Sequence, residues 1–218
     1  MTRLLDNSQT GIDIFMRNLD RAARIVGDFK QVAVDQTSNQ RRSFDVAAVT
    51  REWLTTLHPF LRKSGCTAEL SAESGLQCDS FPGAYGQILN NLIMNAVLHG
   101  FDGKPAGVVR VVVEPQAGAQ VQLTVSDDGC GMTPEVLKRI YDPFFTTKLG
   151  AGGSGLGLNI VQGIVVRILG GSIAVTSEVG KGTQVRVCFP CVAPILNEQE
   201  TASAATPAPT SPPPDAQA

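Results

Sequence analysis

Three short strings hold the residue types from which a ligand site could be built. The first is Gly153-Ser154-Gly155-Leu156-Gly157-Leu158, inside a stretch from Gly150 to Gly182 that contains ten of the twenty-two glycines. It lies where a loop enters a helix, and glycine there lets backbone N–H groups approach an anion at the positive helix end. Alone, a G-x-G-x-G string is weak. A dinucleotide-binding fold sets its glycines directly after a first strand, with an acidic residue about twenty positions on. Here Phe144-Phe145-Thr146-Thr147-Lys148 precedes them instead, and the Gly-Lys-Ser/Thr ending of a Walker loop is missing from the string. The second string is Asp127-Asp128-Gly129-Cys130-Gly131, after a predicted strand. Its glycines permit a tight turn and a close ligand edge, and a carboxylate at a strand end can accept a hydrogen bond from an exocyclic amine. In isolation, such a string simply closes a strand with an Asp-Gly turn. The third is Asn91, Asn95 and His99 at i, i+4 and i+8 on one helix face, with Gln87 one turn back. A solvated polar face would look similar, but uncharged amides serve solubility poorly, and Ile88, Leu92 and Ala96 supply the buried side. Asparagine carbonyl oxygens are hard donors that suit magnesium, an ion that keeps waters and shares phosphate oxygens.

These strings need elements to hold them. Asp45 to Arg62 reads as a helix with Val46, Val49, Trp53, Leu57 and Leu61 on one face. Cys66 to Ser71 is a short strand, Gly83 to His99 a strong helix, and Val108 to Glu114 and Gln120 to Ser126 are strands, the last alternating Val121, Leu123 and Val125. Thr133 is expected to cap a helix running to about Ile140, with Pro134 first and Glu135 in its opening turn. Leu156 to Leu169 is a third long helix, and Ser172 to Ser177 pairs with Thr183 to Phe189 across Gly180-Lys181-Gly182. Helices alternating with hairpin-connected strands imply an α+β fold, a two-layer α/β sandwich, over residues 43–192.

Composition narrows the classes. Eighteen basic against twenty acidic residues leave a net charge of −2 with no basic run, which argues against binding nucleic acid through phosphate neutralisation. Arg167 interrupts the best apolar run, Ile160 to Leu169, so no membrane span is expected. Met1 to Asp6 is charged and lacks the apolar stretch of a signal peptide, which suggests a cytoplasmic chain. Five cysteines without framework spacing suit a reducing compartment. Cys188 and Cys191 form a C-x-x-C, read as the end of a last strand followed by a loop, since a zinc site would want a second pair. Residues 195–218, rich in Pro, Ala and Thr, read as a disordered tail.

The order of the strings says more than any one of them. An Asn helix, Asp-x-Gly-x-Gly, Phe144-Phe145-Thr146-Thr147-Lys148, Gly-x-Gly-x-Gly and Gly180-Lys181-Gly182-Thr183 together resemble the catalytic domain of sensor histidine kinases, in the ATPase superfamily shared with gyrase, Hsp90 and MutL. The resemblance covers roughly residues 43 to 190 and implies the Bergerat fold, with ATP and Mg2+ between the Asn helix and a lid. It implies that Asn95 binds magnesium with Asn91 beside it, and that Asp127 reads adenine, helped by a hydroxyl like that of Thr183. Gly129 and Gly131 would shape the floor. Phe144 and Phe145 would anchor the lid by burial, with Thr147 and Lys148 near the terminal phosphate. Gly153, Gly155 and Gly157 would offer backbone N–H groups to the phosphates, with Leu156 and Leu158 packing nearby, and His99 would contact phosphate or ribose. Leu149 to Ser154 would be mobile without ligand. One position departs from the family, in which Lys or Arg often stands three residues after the metal Asn; this chain has Leu98.

The N-terminus fits the same resemblance. Ile12, Phe15, Leu19, Ala22, Val26, Phe29 and Ala33 recur at three- and four-residue steps, the apolar seam of a helix that packs on other helices. Residues 1–37 are similar to the second helix of the family's dimerisation hairpin, whose first helix carries the phosphorylated histidine. No histidine precedes His58, and Leu57-His58-Pro59 is unlike an acceptor motif, so this chain is expected to lack its own acceptor. Hydrolysing members of the superfamily carry a Glu four residues before the metal Asn; here that position is Asn91, and an amide cannot act as a base. The resemblance therefore implies transfer of the γ-phosphate to a histidine on a dimerisation domain, for relay to a response regulator receiver domain, by a homodimer in its full-length form. A non-catalytic nucleotide-binding interaction module of the same fold remains the alternative.

Overall fold

The computed structural model describes residues 40–101, 106–148 and 153–195. The expected hairpin helix (1–37), most of the expected tail (195–218) and the tip of the expected lid lie outside the described residues. In chain order the elements are β1 (Arg42–Asp45), α1 (Val46–Lys63), β2 (Cys66–Ala72), β3 (Gln77–Ser80), α2 (Pro82–Asn95), β4 (Gly107–Gln116), β5 (Gln120–Asp127), α3 (Pro134–Leu137), α4 (Gly157–Gly163), β6 (Ser172–Glu178) and β7 (Gly182–Pro190). Single π-helical turns extend α2 over Ala96–Gly100 and α4 over Ile164–Ile168.

Five strands form one mixed sheet in the order β2-β4-β5-β7-β6, parallel at β2–β4 and antiparallel elsewhere. The period-two pattern read in β5 is what buries Val121, Leu123 and Val125, each no more than 3% exposed. Val109, Val111 and Val113 of β4 and Val187 and Phe189 of β7 point the same way. The buried faces of α1, α2 and α4 complete this core, giving the expected α+β architecture of one helical layer on one sheet. Asp45 caps α1 by accepting from Ala48 N at 3.0 Å. Where α1 crosses α2, Gly86 lets the Trp53 ring lie on the helix backbone; a Cβ there would collide with the indole.

At the centre of the core, Tyr85 is fully buried between Phe44 and Phe189, with ring centroids 6.3 and 5.8 Å away. The Thr50 hydroxyl donates its one proton to Val46 O at 2.7 Å. The Tyr85 hydroxyl, 2.7 Å from Thr50 Oγ1, must then be the donor of that second bond. Burial raises the Tyr85 phenol far above its ordinary pKa, so it remains neutral and keeps that proton.

The arrangement of elements differs from the sequence reading in three places. A small antiparallel sheet, β1 with β3, was not expected. Helix α3 ends at Leu137 rather than near Ile140, although Thr133 does cap it, accepting from Val136 N at 3.4 Å. The residues after it turn through three-residue bonds, Arg139 N to Val136 O and Asp142 N to Arg139 O, each 2.9 Å, and Pro143 then disfavours helix at Asp142. The two long helices do not stay α-helical to their ends; each widens by one residue into its π turn. Among the described residues, no helix is long and apolar enough to cross a membrane.

Candidate nucleotide site

The site begins with the register of β5 and β7. Asp127 ends β5 directly opposite Thr183, near the start of β7, so a carboxylate and a hydroxyl share one end of the sheet. Thr183 Oγ1 lies 3.0 Å from Ser177 Oγ, which also donates to Gly182 O at 2.9 Å and accepts from Met132 N at 2.9 Å. Asp127 Oδ1 accepts from Gly129 N at 2.9 Å, which fixes the plane of the carboxylate. Two glycines make that arrangement possible. A Cβ on Gly129 would strike the Gly100 carbonyl, and one on Gly182 (φ +92°) would strike Asp127 O.

Helix α2 supplies the opposite wall. Ile88, Leu89, Leu92 and Ile93 are buried against the core, leaving Asn91 and Asn95 on the other face. Asn91 Nδ2 donates to Gln87 O at 2.9 Å, which sets the direction of its carbonyl oxygen. Gln87 thus acts through its backbone, and its side chain does not line the cavity. Both amide oxygens converge on the first residue of α4. The position of a Cβ on Gly157 lies 3.2 Å from Asn95 Oδ1 and 3.3 Å from Asn91 Oδ1. At the end of α2 the π turn closes through Phe101 N to Ala96 O, 3.2 Å, and delivers Gly100 O to Cys130 N at 2.7 Å. A π turn next to a site is common, because the extra residue redirects side chains without ending the helix.

The third wall is the segment before α4. His99 Nδ1 lies 3.1 Å from Thr147 Oγ1, joining the π turn to this segment. Phe145 is half-buried beneath Arg139, whose guanidinium sits 4.2 Å from the ring centroid. Phe144 corrects an expectation: at 48% exposure it is not a buried anchor. Its backbone takes the left-handed conformation (φ +66°) and packs on Gly155, where a Cβ would meet it, so the ring turns outward.

These walls enclose a cavity of about 470 Å³. Of the residues singled out in the sequence, Asn91, Asn95, His99, Asp127, Gly131, Phe145, Thr147, Lys148, Gly153, Gly155, Gly157, Leu158 and Thr183 line it. Gly129 and Leu156 do not; both are buried, Gly129 behind the Asp127 carboxylate and Leu156 at 8% exposure. The sequence reading missed the apolar lining, Val125, Met132, Val136, Ile140 and Val185. Val125 and Val185 were accessible from strand alternation, whereas Met132, Val136 and Ile140 are brought in by the turns around α3. The result is a slot with apolar walls, one carboxylate at its base and polar amides at its mouth, a common design for a ligand with a flat ring and a charged tail. Among the described residues the charged lining is sparse: Lys148 is the one lysine or arginine, and Leu98 contributes only an apolar surface. Among the described residues no cluster of three or more His, Cys, Asp or Glu could hold a metal.

Residues 82–193 match the histidine kinase-, DNA gyrase B-, and HSP90-like ATPase family. The sensor histidine kinase ZraS of Klebsiella oxytoca is 33% identical over 170 residues, covering 78% of this chain and 35% of that protein. The chain spans about a quarter to a third of the length of such curated relatives. Among solved structures, the catalytic domain of histidine kinase ThkA superposes with a TM-score of 0.60 at 23% identity, covering 71% of this chain and 99% of that one. Full-length ShkA in complex with AMPPNP gives a TM-score of 0.59 at 26% identity, covering 78% of this chain and 37% of ShkA.

Proposed function

The chain belongs to the histidine kinase-, DNA gyrase B- and HSP90-like ATPase family, and on that premise we propose that it is the ATP-binding catalytic domain of a two-component sensor histidine kinase. It hands the ATP γ-phosphate to a histidine on a dimerisation hairpin, for relay to a response regulator receiver domain, and the full-length protein works as a homodimer. In this reading residues 43–192 are the nucleotide-binding unit, residues 1–37 belong to the hairpin and residues 195–218 are a tail.

The observation that carries the proposal is the spacing of chemistry along one cavity. Asp127 and Thr183 face each other at the apolar end, and the Asn91 and Asn95 oxygens meet above Gly157 at the polar end. Adenine enters the slot with its exocyclic amine on Asp127, while Val125 and Val185 cover the ring. The phosphates leave toward Gly153, Gly155 and Gly157, whose missing side chains let backbone come close. Two hard amide oxygens converging on one point fit magnesium, which neutralises phosphate charge when bound. Asn95, with Asn91 beside it, would hold it. Lys148 and the His99–Thr147 pair stand where the terminal phosphate would lie. Position 91 is an amide, and among the described residues lining the cavity the carboxylate is Asp127 at the apolar end, so none of them stands beside the phosphates as a base for water. Positioning and charge neutralisation dominate phosphoryl transfer, and that is the work this domain supplies.

The test is transfer. The chain is incubated with γ-labelled ATP, magnesium and a separate protein carrying the complete two-helix hairpin of the same sensor. Acid-labile label should appear on the hairpin histidine and vanish with Asn95→Ala. Label on this chain alone, or none on the hairpin despite bound ATP, would overturn the proposal.

A further inference from the structure

Two of the five cysteines meet at an edge of the domain that the nucleotide site does not use. Past the end of β7, Val192 forms an isolated parallel bridge with Asp79 of β3. Both of its bonds are short: Asp79 N donates to Cys191 O at 2.8 Å and Ala193 N donates to Asp79 O at 3.0 Å. One residue back in this parallel register, Cys78 lies opposite Cys191, and register partners in parallel strands project to the same face. Burial agrees, since Cys78 (1%) and Ala193 (2%) face inward while Val192 (61%) faces out. Adjacent strands stand about 4.7–4.9 Å apart, inside the roughly 4.4–6.8 Å range between Cα atoms that a disulfide spans. The C-x-x-C of the sequence is thereby split. Cys188 sits on β7 between buried Val187 and Phe189, so it points to the opposite face, where its Sγ donates to Gln120 Oε1 at 3.1 Å.

We propose that Cys78 and Cys191 form a reversible disulfide that staples the chain beyond β7 onto β3 when a small-molecule disulfide oxidises the protein. Burial first, and then the neighbouring Cys191, push the Cys78 thiol up to about 12, so Cys78 does not start the exchange. Partly exposed Cys191 does. Its thiolate attacks one sulfur of the oxidant, forming a mixed disulfide and expelling the other half as a thiolate. Cys78 then passes its proton to that base and attacks Sγ of Cys191, releasing the second half. Two protein thiols are oxidised and one small disulfide is reduced to two thiols. The bond closes a loop of roughly 110 residues, so it restricts the unfolded chain far more than a local bridge does. The stapled segment also carries Pro194, which packs on Gly170 at the end of the α4 π turn.

The test uses the intact chain with excess oxidised glutathione, alkylation of remaining thiols and non-reducing peptide mapping. A Cys78–Cys191 peptide should appear, together with a rise in melting temperature on the order of 10 °C that dithiothreitol reverses. Cys191→Ser should lose both effects and Cys188→Ser should keep both. Any outcome without the Cys78–Cys191 peptide overturns the proposal, whether the oxidant leaves a Cys188–Cys191 bond, glutathione adducts alone or no change.

Discussion

Gly157→Ala places a methyl group where the two asparagine amides converge. The new Cβ would stand 3.2 Å from Asn95 Oδ1, 3.3 Å from Asn91 Oδ1 and 3.4 Å from Asn95 Nδ2. Non-bonded heavy atoms settle at about 3.5–4.0 Å, so the amides must retreat by a few tenths of an ångström. Asn91 is not free to do so without loosening its 2.9 Å bond to Gln87 O. Folding should barely notice, because Gly157 is not among the glycines with positive φ and alanine favours a helix over glycine by about 0.5–1 kcal/mol. Binding should notice, because magnesium demands near-ideal geometry at about 2.0–2.1 Å and a displaced amide no longer meets it. Losing one charge-assisted contact costs about 1.5–3 kcal/mol, a rise in Kd of about 10- to 160-fold. Calorimetry with a non-hydrolysable ATP analogue and magnesium, alongside thermal melts without nucleotide, separates the two effects. The melting temperature should stay within about 2 °C of the parent while magnesium-dependent affinity falls. Unchanged affinity in a folded variant would refute the assignment of this corner to the metal and phosphates.

Two further substitutions probe the frame around the site. Tyr85→Phe removes a buried donor but leaves the Thr50 bond to Val46 O intact, so it should cost about 1 kcal/mol and lower the melting temperature by about 2–4 °C without changing nucleotide affinity. Because burial raises the Tyr85 pKa, the folded chain holds a proton that the unfolded chain releases above about pH 10. The stability from Tyr85 is therefore present below that pH and lost above it, and denaturant melts of Tyr85→Phe should decline less steeply between about pH 10 and 11. Gly131→Ala should be far more damaging: φ is +67° and a Cβ would collide with Glu178 O, so a loss above about 2 kcal/mol is expected, read as a fall in melting temperature of at least about 5 °C.

Much of this is legible in the sequence. Strand alternation placed the β5 core, the Thr133-Pro134 pair placed the start of α3, and the order of the glycine and asparagine strings placed the two walls that now face each other. The sequence is silent where local pattern carries no information. Strands β1 and β3 are four residues long with one apolar position each, too few for a period to show, and only their pairing and the Val192 bridge make them strands. The π turn at the end of α2 answers a tertiary demand, since it lets the Gly100 carbonyl reach Cys130 N while Gly100 clears Asp127. Phe144 looked like an apolar anchor because residue type says nothing about a left-handed backbone. The C-x-x-C could not be resolved from spacing, since strand alternation separates its thiols and a distant bridge gives one of them to Cys78.

The central claim is that Asp127 reads adenine at the base of the cavity. Calorimetric titration of this chain with magnesium–ATP and then with magnesium–GTP tests it most directly. A carboxylate that accepts from the adenine amine would face a carbonyl on guanine, acceptor against acceptor, so GTP should bind at least about 100-fold more weakly than ATP. Asp127→Asn, which keeps the size and loses the charge, should weaken ATP toward the GTP value. Equal affinity for the two nucleotides, or undiminished ATP binding by Asp127→Asn, would contradict the account.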